Sequence, residues 1–155
     1  MSLGGRNYSV SGTSTLAASA TLPLVTLIST AAVRPRLYDF TLGSSGAPAN
    51  QAVRYAIQRC TTAGTPGSSI TPQALDPADP VAVVTSGLAT FSVGPTLTAN
   101  AFLFDLGLNQ QGTYRWLAAQ GGELVMPATA ANGLALMPLA VSSAFAAEFV
   151  MHFSE

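Results

Sequence analysis

The stretch Phe145–Glu155, FAAEFVMHFSE, alternates strictly between two kinds of position. One parity carries only apolar side chains: Phe145, Ala147, Phe149, Met151 and Phe153. The other parity includes Glu148, Val150 and His152. Successive side chains of a β-strand point to opposite faces, so this period of two predicts a half-buried strand.

The same period recurs along the chain. Ala52–Arg59 places Val53, Tyr55 and Ile57 on one face. Asn100–Leu106 groups Phe102, Phe104 and Leu106 in the same way. In Leu37–Leu42 the pattern sets Leu37, Asp39 and Thr41 against Tyr38, Phe40 and Leu42.

Turn signals separate these runs, Asn132-Gly133 being a strong one, and no convincing amphipathic helix exceeds two turns. Eight to ten short strands result. We therefore predict an all-β protein, an antiparallel β-sandwich of jelly-roll type with little helix.

Composition limits the function. Charged residues make up 8% of the 155 residues, and all six cations are Arg. A net charge of −1 provides no basic field for nucleic acid, so we expect no nucleic-acid partner. A free monomer with so few charges tends to associate, which indicates that other subunits cover much of the surface.

Two N-terminal segments need interpretation. Residues 16–33 superficially resemble a signal peptide, but polar residues and Pro23 interrupt the apolar run, so we interpret them as strand and expect no membrane association. Residues 1–14, rich in Gly and Ser, are predicted to be an arm that orders only in an assembly. Residues 15–155 form one β-sandwich domain in this interpretation.

The sequence offers little catalytic chemistry. Cys60 has no second cysteine to pair with, and His152 lies in the strand pattern described above. The carboxylates are scattered, and no glycine-rich phosphate loop is present. We predict no catalytic residue, no cofactor and no metal site.

The segment Thr71–Val81, TPQALDPADPV, is unusually rich in proline. Asp76 and Asp79 offer too few oxygens for calcium. Each precedes a proline, which favours an extended backbone. The segment is interpreted either as a stiff loop that contacts a partner or as a crossover between sheets that packs on its own domain.

Tyr114-Arg115-Trp116 combines the three residue types that dominate protein–protein hot spots. A core strand with Trp116 inside is the other interpretation. The candidate interface residues, including those of the arm and of the proline-rich segment, are Arg6, Tyr8, Asp76, Pro77, Asp79, Pro80, Tyr114, Arg115 and Trp116.

From about Val53 to its end the chain resembles a family of small proteins encoded among the head genes of tailed bacteriophages and prophages. The segments that carry the resemblance are VRYAIQRCTTAGT, TPQALDPADPVA, YRWLAA, ELVMP, NGLAL and AFAAEFVMHFSE, whereas the first fifty residues match only loosely.

The resemblance implies a capsid decoration (cement) protein. Such a protein is a jelly-roll trimer on the outer surface of the virion capsid, assembled in the bacterial cytoplasm, whose partners are the major capsid protein and its own sister subunits. The resemblance carries no active site and implies no enzyme. The alternatives are a virion receptor- or carbohydrate-binding module that uses Tyr114 and Trp116, and a tail or head–tail completion protein.

Overall fold

The computed structural model describes residues 5–88 and 90–155. All regular structure in these residues is β-strand. The strands are β1 (Asn7–Leu16), β2 (Val25–Ile28), β3 (Arg36–Ser45), β4 (Ala52–Cys60), β5 (Ser68–Ile70), β6 (Gln73–Ala74), β7 (Thr85–Leu88), β8 (Leu97–Asn109), β9 (Tyr114–Leu117), β10 (Leu124–Val125), β11 (Gly133–Val141) and β12 (Phe145–Ser154).

The strands form two antiparallel sheets that pack face to face. Sheet A has the order β10-β3-β12-β1-β6, with β9 also paired to β3. Sheet B has the order β5-β7-β2-β11-β4-β8. The first and last strands are neighbours in sheet A, and β1 to β4 alternate between the sheets, as the final strands do. This winding is the jelly roll, and it confirms the predicted β-sandwich.

The number of strands exceeds the eight to ten expected because the chain between β4 and β8 adds three short ones. β5 and β7 extend sheet B, whereas β6 extends sheet A beside β1. This insertion contains the proline-rich segment, which the pattern of large apolar residues did not identify as strand.

The strand β12 lies in the middle of sheet A and supplies much of the core. Its five apolar residues of one parity are all buried, and Glu148 on the opposite face is exposed. Its neighbours β1 and β3 pair with it along nearly their whole lengths. The alternation in the sequence therefore predicted the core face of this strand correctly.

The pattern of β3 is broken by a β-bulge. Asp39 pairs with His152 and Leu37 with Phe153, so Tyr38 is the extra residue on β3. Leu37 and Phe40 both face the core, where they are buried. The expected grouping of Leu37 with Asp39 is therefore wrong, because a bulge shifts the alternation by one residue.

The N-terminal segment corrects the predicted domain boundary. Residues 7–14 belong to β1, which pairs with β12 on one side and β6 on the other. Their backbone hydrogen bonds and the buried Val10 make them part of the sandwich rather than an arm. Residues 1–4 of the predicted arm lie outside the described residues.

The segment 16–33 contains a shorter strand than expected. Val25–Ile28 forms β2, which is buried along its whole length between β11 and β7. The residues on either side of β2 within this segment are mostly turns and loops.

One buried polar atom in β2 gives a stability prediction. The hydroxyl of Thr26 is buried and has no hydrogen-bond partner among the described residues. Valine has nearly the same shape without the hydroxyl, so we expect Thr26→Val to raise the free energy of unfolding by about 1 kcal/mol. Urea unfolding followed by the fluorescence of Trp116 measures this change. The matched control Thr13→Val, on exposed β1 surface, is expected to change stability by less than about 0.5 kcal/mol. An unchanged or lower stability of Thr26→Val would contradict the unsatisfied hydroxyl.

Candidate functional site

The proline-rich segment lies on one side of a groove on the outer face of sheet A, and the chain that follows Tyr114–Trp116 lies on the other. The groove has a volume of about 680 Å³. Leu75, Asp76 and Asp79 line one side, and Leu117 and the chain that follows it to Glu123 line the other. Tyr38 of the bulge also lines it. We call this surface the sheet A groove, defined by Tyr38, Leu75, Asp76, Asp79, Leu117 and Glu123.

The proline-rich segment forms one side of the groove through a tight turn. The backbone N–H of Asp79 donates to the carbonyl of Asp76 at 3.0 Å, and the Ala78 N–H donates to the Asp76 carboxylate at 2.9 Å. Pro77 occupies the second turn position, where its fixed φ is favourable. The segment runs from sheet B to β6 in sheet A and back, as in the crossover interpretation. Its backbone is a turn around Pro77 rather than the extended chain expected there.

The predicted residues Arg6 and Tyr8 both contact this segment. The Arg6 guanidinium lies 4.0 Å from the Asp79 carboxylate, and the Tyr8 hydroxyl donates to the Pro80 carbonyl at 3.0 Å. Tyr8 was predicted to be an interface residue, but its side chain is fully buried and stacks on Phe153. It holds the loop in place and presents no surface to a partner.

The segment Tyr114–Trp116 divides between the two faces of β9. Trp116 and Tyr114 point inward, and Trp116 stacks on Phe40 with ring centroids 5.4 Å apart. Phe104 of sheet B packs edge-on against Phe40 at 4.9 Å. Tyr114 and Trp116 are thus half-buried and cover the core at the β9 edge, as the core-strand interpretation expects.

Arg115 points outward and binds a buried carboxylate. Its Nε and Nη2 donate to the two Asp39 oxygens at 2.9 and 2.7 Å. The Nδ1 atom of His152 lies 3.2 Å from the same carboxylate, and the His152 ring stacks on Tyr38. The Arg115 guanidinium holds the pKa of Asp39 below its usual value, and His152 adds to this effect against the opposing effect of burial.

This cluster predicts a specific acid sensitivity. The pKa of Asp39 is lower in the folded protein than in the unfolded chain, so its stabilising effect is complete above the unfolded pKa. That stabilisation is lost as the pH falls through the lowered folded pKa. We expect Asp39→Asn to cost about 2 kcal/mol at neutral pH, since an amide replaces one charge-assisted acceptor with a donor.

Urea unfolding between neutral and acid pH tests this expectation. The cost of Asp39→Asn relative to wild type should shrink as the pH falls below the usual carboxylate range. The control is Asp105→Asn, which removes the exposed partner of Arg54 and should have a much smaller effect. An equal cost at all pH values would contradict the lowered Asp39 pKa.

The remaining reactive side chains are engaged in the fold. Cys60 ends β4 and is buried, and burial raises the pKa of its thiol to about 11. Such a thiol carries almost no thiolate at neutral pH.

Within residues 5–88 and 90–155, no group of three or more His, Cys, Asp or Glu side chains is placed to hold a metal ion. No helix in this part of the chain is long and apolar enough to cross a membrane.

The sequence missed several residues of the groove. The sequence pattern grouped Tyr38 with Phe40 and Leu42, and the bulge places Tyr38 on the opposite face. Leu75 and Leu117 are 52% and 63% exposed, although isolated leucines in a sequence usually indicate burial. Glu123 was considered only as a scattered carboxylate. The proline-rich segment did locate one side of the groove through Asp76 and Asp79, whereas none of Tyr114, Arg115 and Trp116 lines it.

Comparisons of this chain with protein-family models, curated proteins and solved structures found no match.

Proposed function

We propose that this protein is a structural component of a phage virion that binds the outside of the capsid as a trimer and bridges major capsid subunits. The capsid is named as the partner on the strength of the sequence resemblance to phage head proteins. The properties of the surface support the assembly part of the proposal independently.

The observation that carries the proposal is an apolar surface on a chain with few charges. Large apolar side chains are exposed at several places, including Val81 at 74% and Val93 at 60%. Charged residues make up only 8% of the sequence. Exposed apolar patches on a protein with few charges favour association, and neighbouring subunits that cover them remove them from water.

The edge of sheet B adds to this support. β8 has thirteen residues and, in the part of the chain that the structure describes, pairs only with β4, so its other edge lies at the side of the sheet. Phe102 on this strand is 43% exposed. Long edge strands with exposed apolar residues pair readily with other chains, and a sister or capsid subunit would cover this edge.

A mechanical role requires only weak contacts with the shell, provided that they are repeated many times. Each copy needs only modest affinity for the shell because many copies bind a lattice at once, and the trimer engages it at three points. A decoration protein of this kind strengthens the shell against the outward pressure of packaged DNA without any chemical step.

The carbohydrate-binding alternative has less support. It relied on Tyr114 and Trp116 as a sugar-stacking platform, but both rings pack inward against Phe40. A glycan array probed with the purified protein tests this alternative, and binding that depends on Trp116 would favour it over the capsid role.

Deletion of the gene from the phage that carries it tests the proposed function. We expect heads that assemble and package DNA but release it at a lower temperature, with resistance restored by adding purified protein. Heads that are equally stable without the protein, with or without its addition, would contradict a cement role. A failure to assemble tails would instead indicate a completion protein.

A further inference from the structure

We propose that the sheet A groove binds the segment Arg34-Pro35-Arg36 of a second copy of this chain. The proposal deepens the proposed function, and it rests on the self-association part of that function and not on capsid binding.

The groove has the composition of an arginine-binding site. Its carboxylates are Asp76, Asp79 and Glu123, and its apolar side chains are Leu75 and Leu117. An arginine places its aliphatic stem on apolar surface while its guanidinium reaches a carboxylate. The two exposed leucines and the acidic groups thus match the two parts of one arginine side chain.

The aromatic ring of Tyr38 completes this composition. Tyr38 lines the groove and is held by its stacking on His152. A guanidinium near an aromatic face gains additional cation–π attraction. The Ala118 N–H donates to the Tyr38 carbonyl at 2.8 Å, so the backbone of Tyr38 and the Leu117 side of the groove are fixed relative to each other.

The chain itself carries the complementary charges. Arg6, Arg54 and Arg115 each pair with a carboxylate, and Arg59 donates to the Val125 carbonyl at 2.7 Å. Among the residues that the structure describes, the other two cations, Arg34 and Arg36, are exposed and form no ion pair. Asp76 and Glu123 in the groove likewise have no cationic partner in the described chain.

The basic segment is also held in a fixed shape. Pro35 is buried between the two exposed arginines, and its carbonyl accepts a hydrogen bond from the Met126 N–H at 2.8 Å. Arg36 then begins β3 and pairs with both Val125 and Ser154. Because the backbone is already ordered, docking loses little conformational entropy.

The segment lies beside the groove on β3 but shares no residue with it, so each contact between copies joins unlike surfaces. Repetition of such a contact closes into a ring when the rotation between neighbours permits. A closed ring of three copies would satisfy all three grooves and all three arginine pairs in the trimer of the proposed function.

Charge reversal with complementation tests the interface. Sedimentation velocity of wild type, Glu123→Arg and Arg34→Glu/Arg36→Glu gives the dissociation constant for self-association. Each reversed variant alone should associate at least about tenfold more weakly, which corresponds to 1.4 kcal/mol. A mixture of the two variants should associate more tightly than either variant alone, because two of the three contacts in a mixed ring of three join opposite charges. Glu148→Arg is the matched control, since Glu148 is exposed, does not line the groove and undergoes the same change of charge.

The outcomes separate this inference from the proposed function. If both reversed variants form the same oligomers with the same affinity as the wild type, the proposed interface is overturned and capsid binding is left intact. A wild-type protein that stays monomeric would overturn the interface and the trimer together, whereas binding to heads is measured separately.

A peptide provides a second measurement for the case in which a variant fails to fold. The synthetic peptide AAVRPRLY, which corresponds to residues 31–38, should shift the NMR resonances of Tyr38 and Leu117 in the wild-type protein. The same peptide with both arginines replaced by glutamate should not shift them. Equal shifts with both peptides, or none with either, would overturn the inference.

Discussion

Replacing Gly133 with alanine is expected to destabilise the protein by about 3 kcal/mol or more. Gly133 begins β11 in the centre of sheet B, between β2 and β4. A Cβ atom at this position would lie 1.9 Å from the backbone oxygen of Leu27. Backbone cannot yield as a flexible side chain does, so β11 and β2 must separate and lose hydrogen bonds.

Gly107→Ala is the matched control for this substitution. Gly107 lies in the edge strand β8, and an added Cβ there would meet nothing within 4 Å. We expect its stability to stay within about 0.5 kcal/mol of wild type or to rise slightly, since alanine restricts the unfolded chain. Thermal and urea unfolding measure both variants, and similar stabilities would contradict the close approach of β11 and β2.

Replacing Phe40 with alanine is expected to cost about 4 kcal/mol. Phe40 is 1% exposed and is the residue at which Phe104, Tyr114 and Trp116 meet. Truncation removes a buried aromatic side chain and leaves a cavity between the two sheets. Trp116 is the protein's single tryptophan, and its fluorescence should shift to longer wavelength in the folded variant as its stacking partner is lost.

Phe102→Ala provides the comparison for Phe40→Ala. Phe102 is also a phenylalanine, but its side chain is 43% exposed on the edge strand β8. We expect a loss below about 1 kcal/mol and unchanged Trp116 fluorescence in this variant. A similar loss in both variants would place the aromatic core elsewhere than between β3, β8 and β9.

The sequence predicted the fold well where one face of a strand is buried along its whole length. The alternation in Phe145–Ser154 identified both the central strand and its core face. The buried Val53, Tyr55 and Ile57 likewise follow the predicted parity of β4. In these strands the hydrophobic pattern and the fold require the same residues, so a single sequence is sufficient.

The prediction failed where backbone geometry overrides the pattern. The bulge at Tyr38 reverses the faces of Leu37 and Tyr38, and no residue type in that stretch signals it. Asn132-Gly133 did mark a turn, but the turn lies earlier, with the Asn132 N–H bonded to the Thr129 carbonyl at 3.2 Å. Gly133 is required instead for its close approach to β2.

The groove illustrates a second limit of sequence reasoning. Its sides come from segments about forty residues apart in the chain, Leu75–Asp79 and Leu117–Glu123, and only the pairing of sheet A brings them together. Polar and apolar residues of mixed loops carry no period that could join them in advance. The glycine- and serine-rich composition of the N-terminus predicted a loose arm. Pairing with β12 instead orders residues 7–14 as part of β1.

The most direct test of the proposed capsid role is a binding titration on isolated heads. On the proposal that a phage encodes this protein, heads of that phage prepared without the protein are mixed with increasing amounts of it and sedimented. We predict saturable binding of trimers in copy numbers comparable to those of the major capsid protein. Heads that sediment without the protein at any concentration would contradict the capsid role.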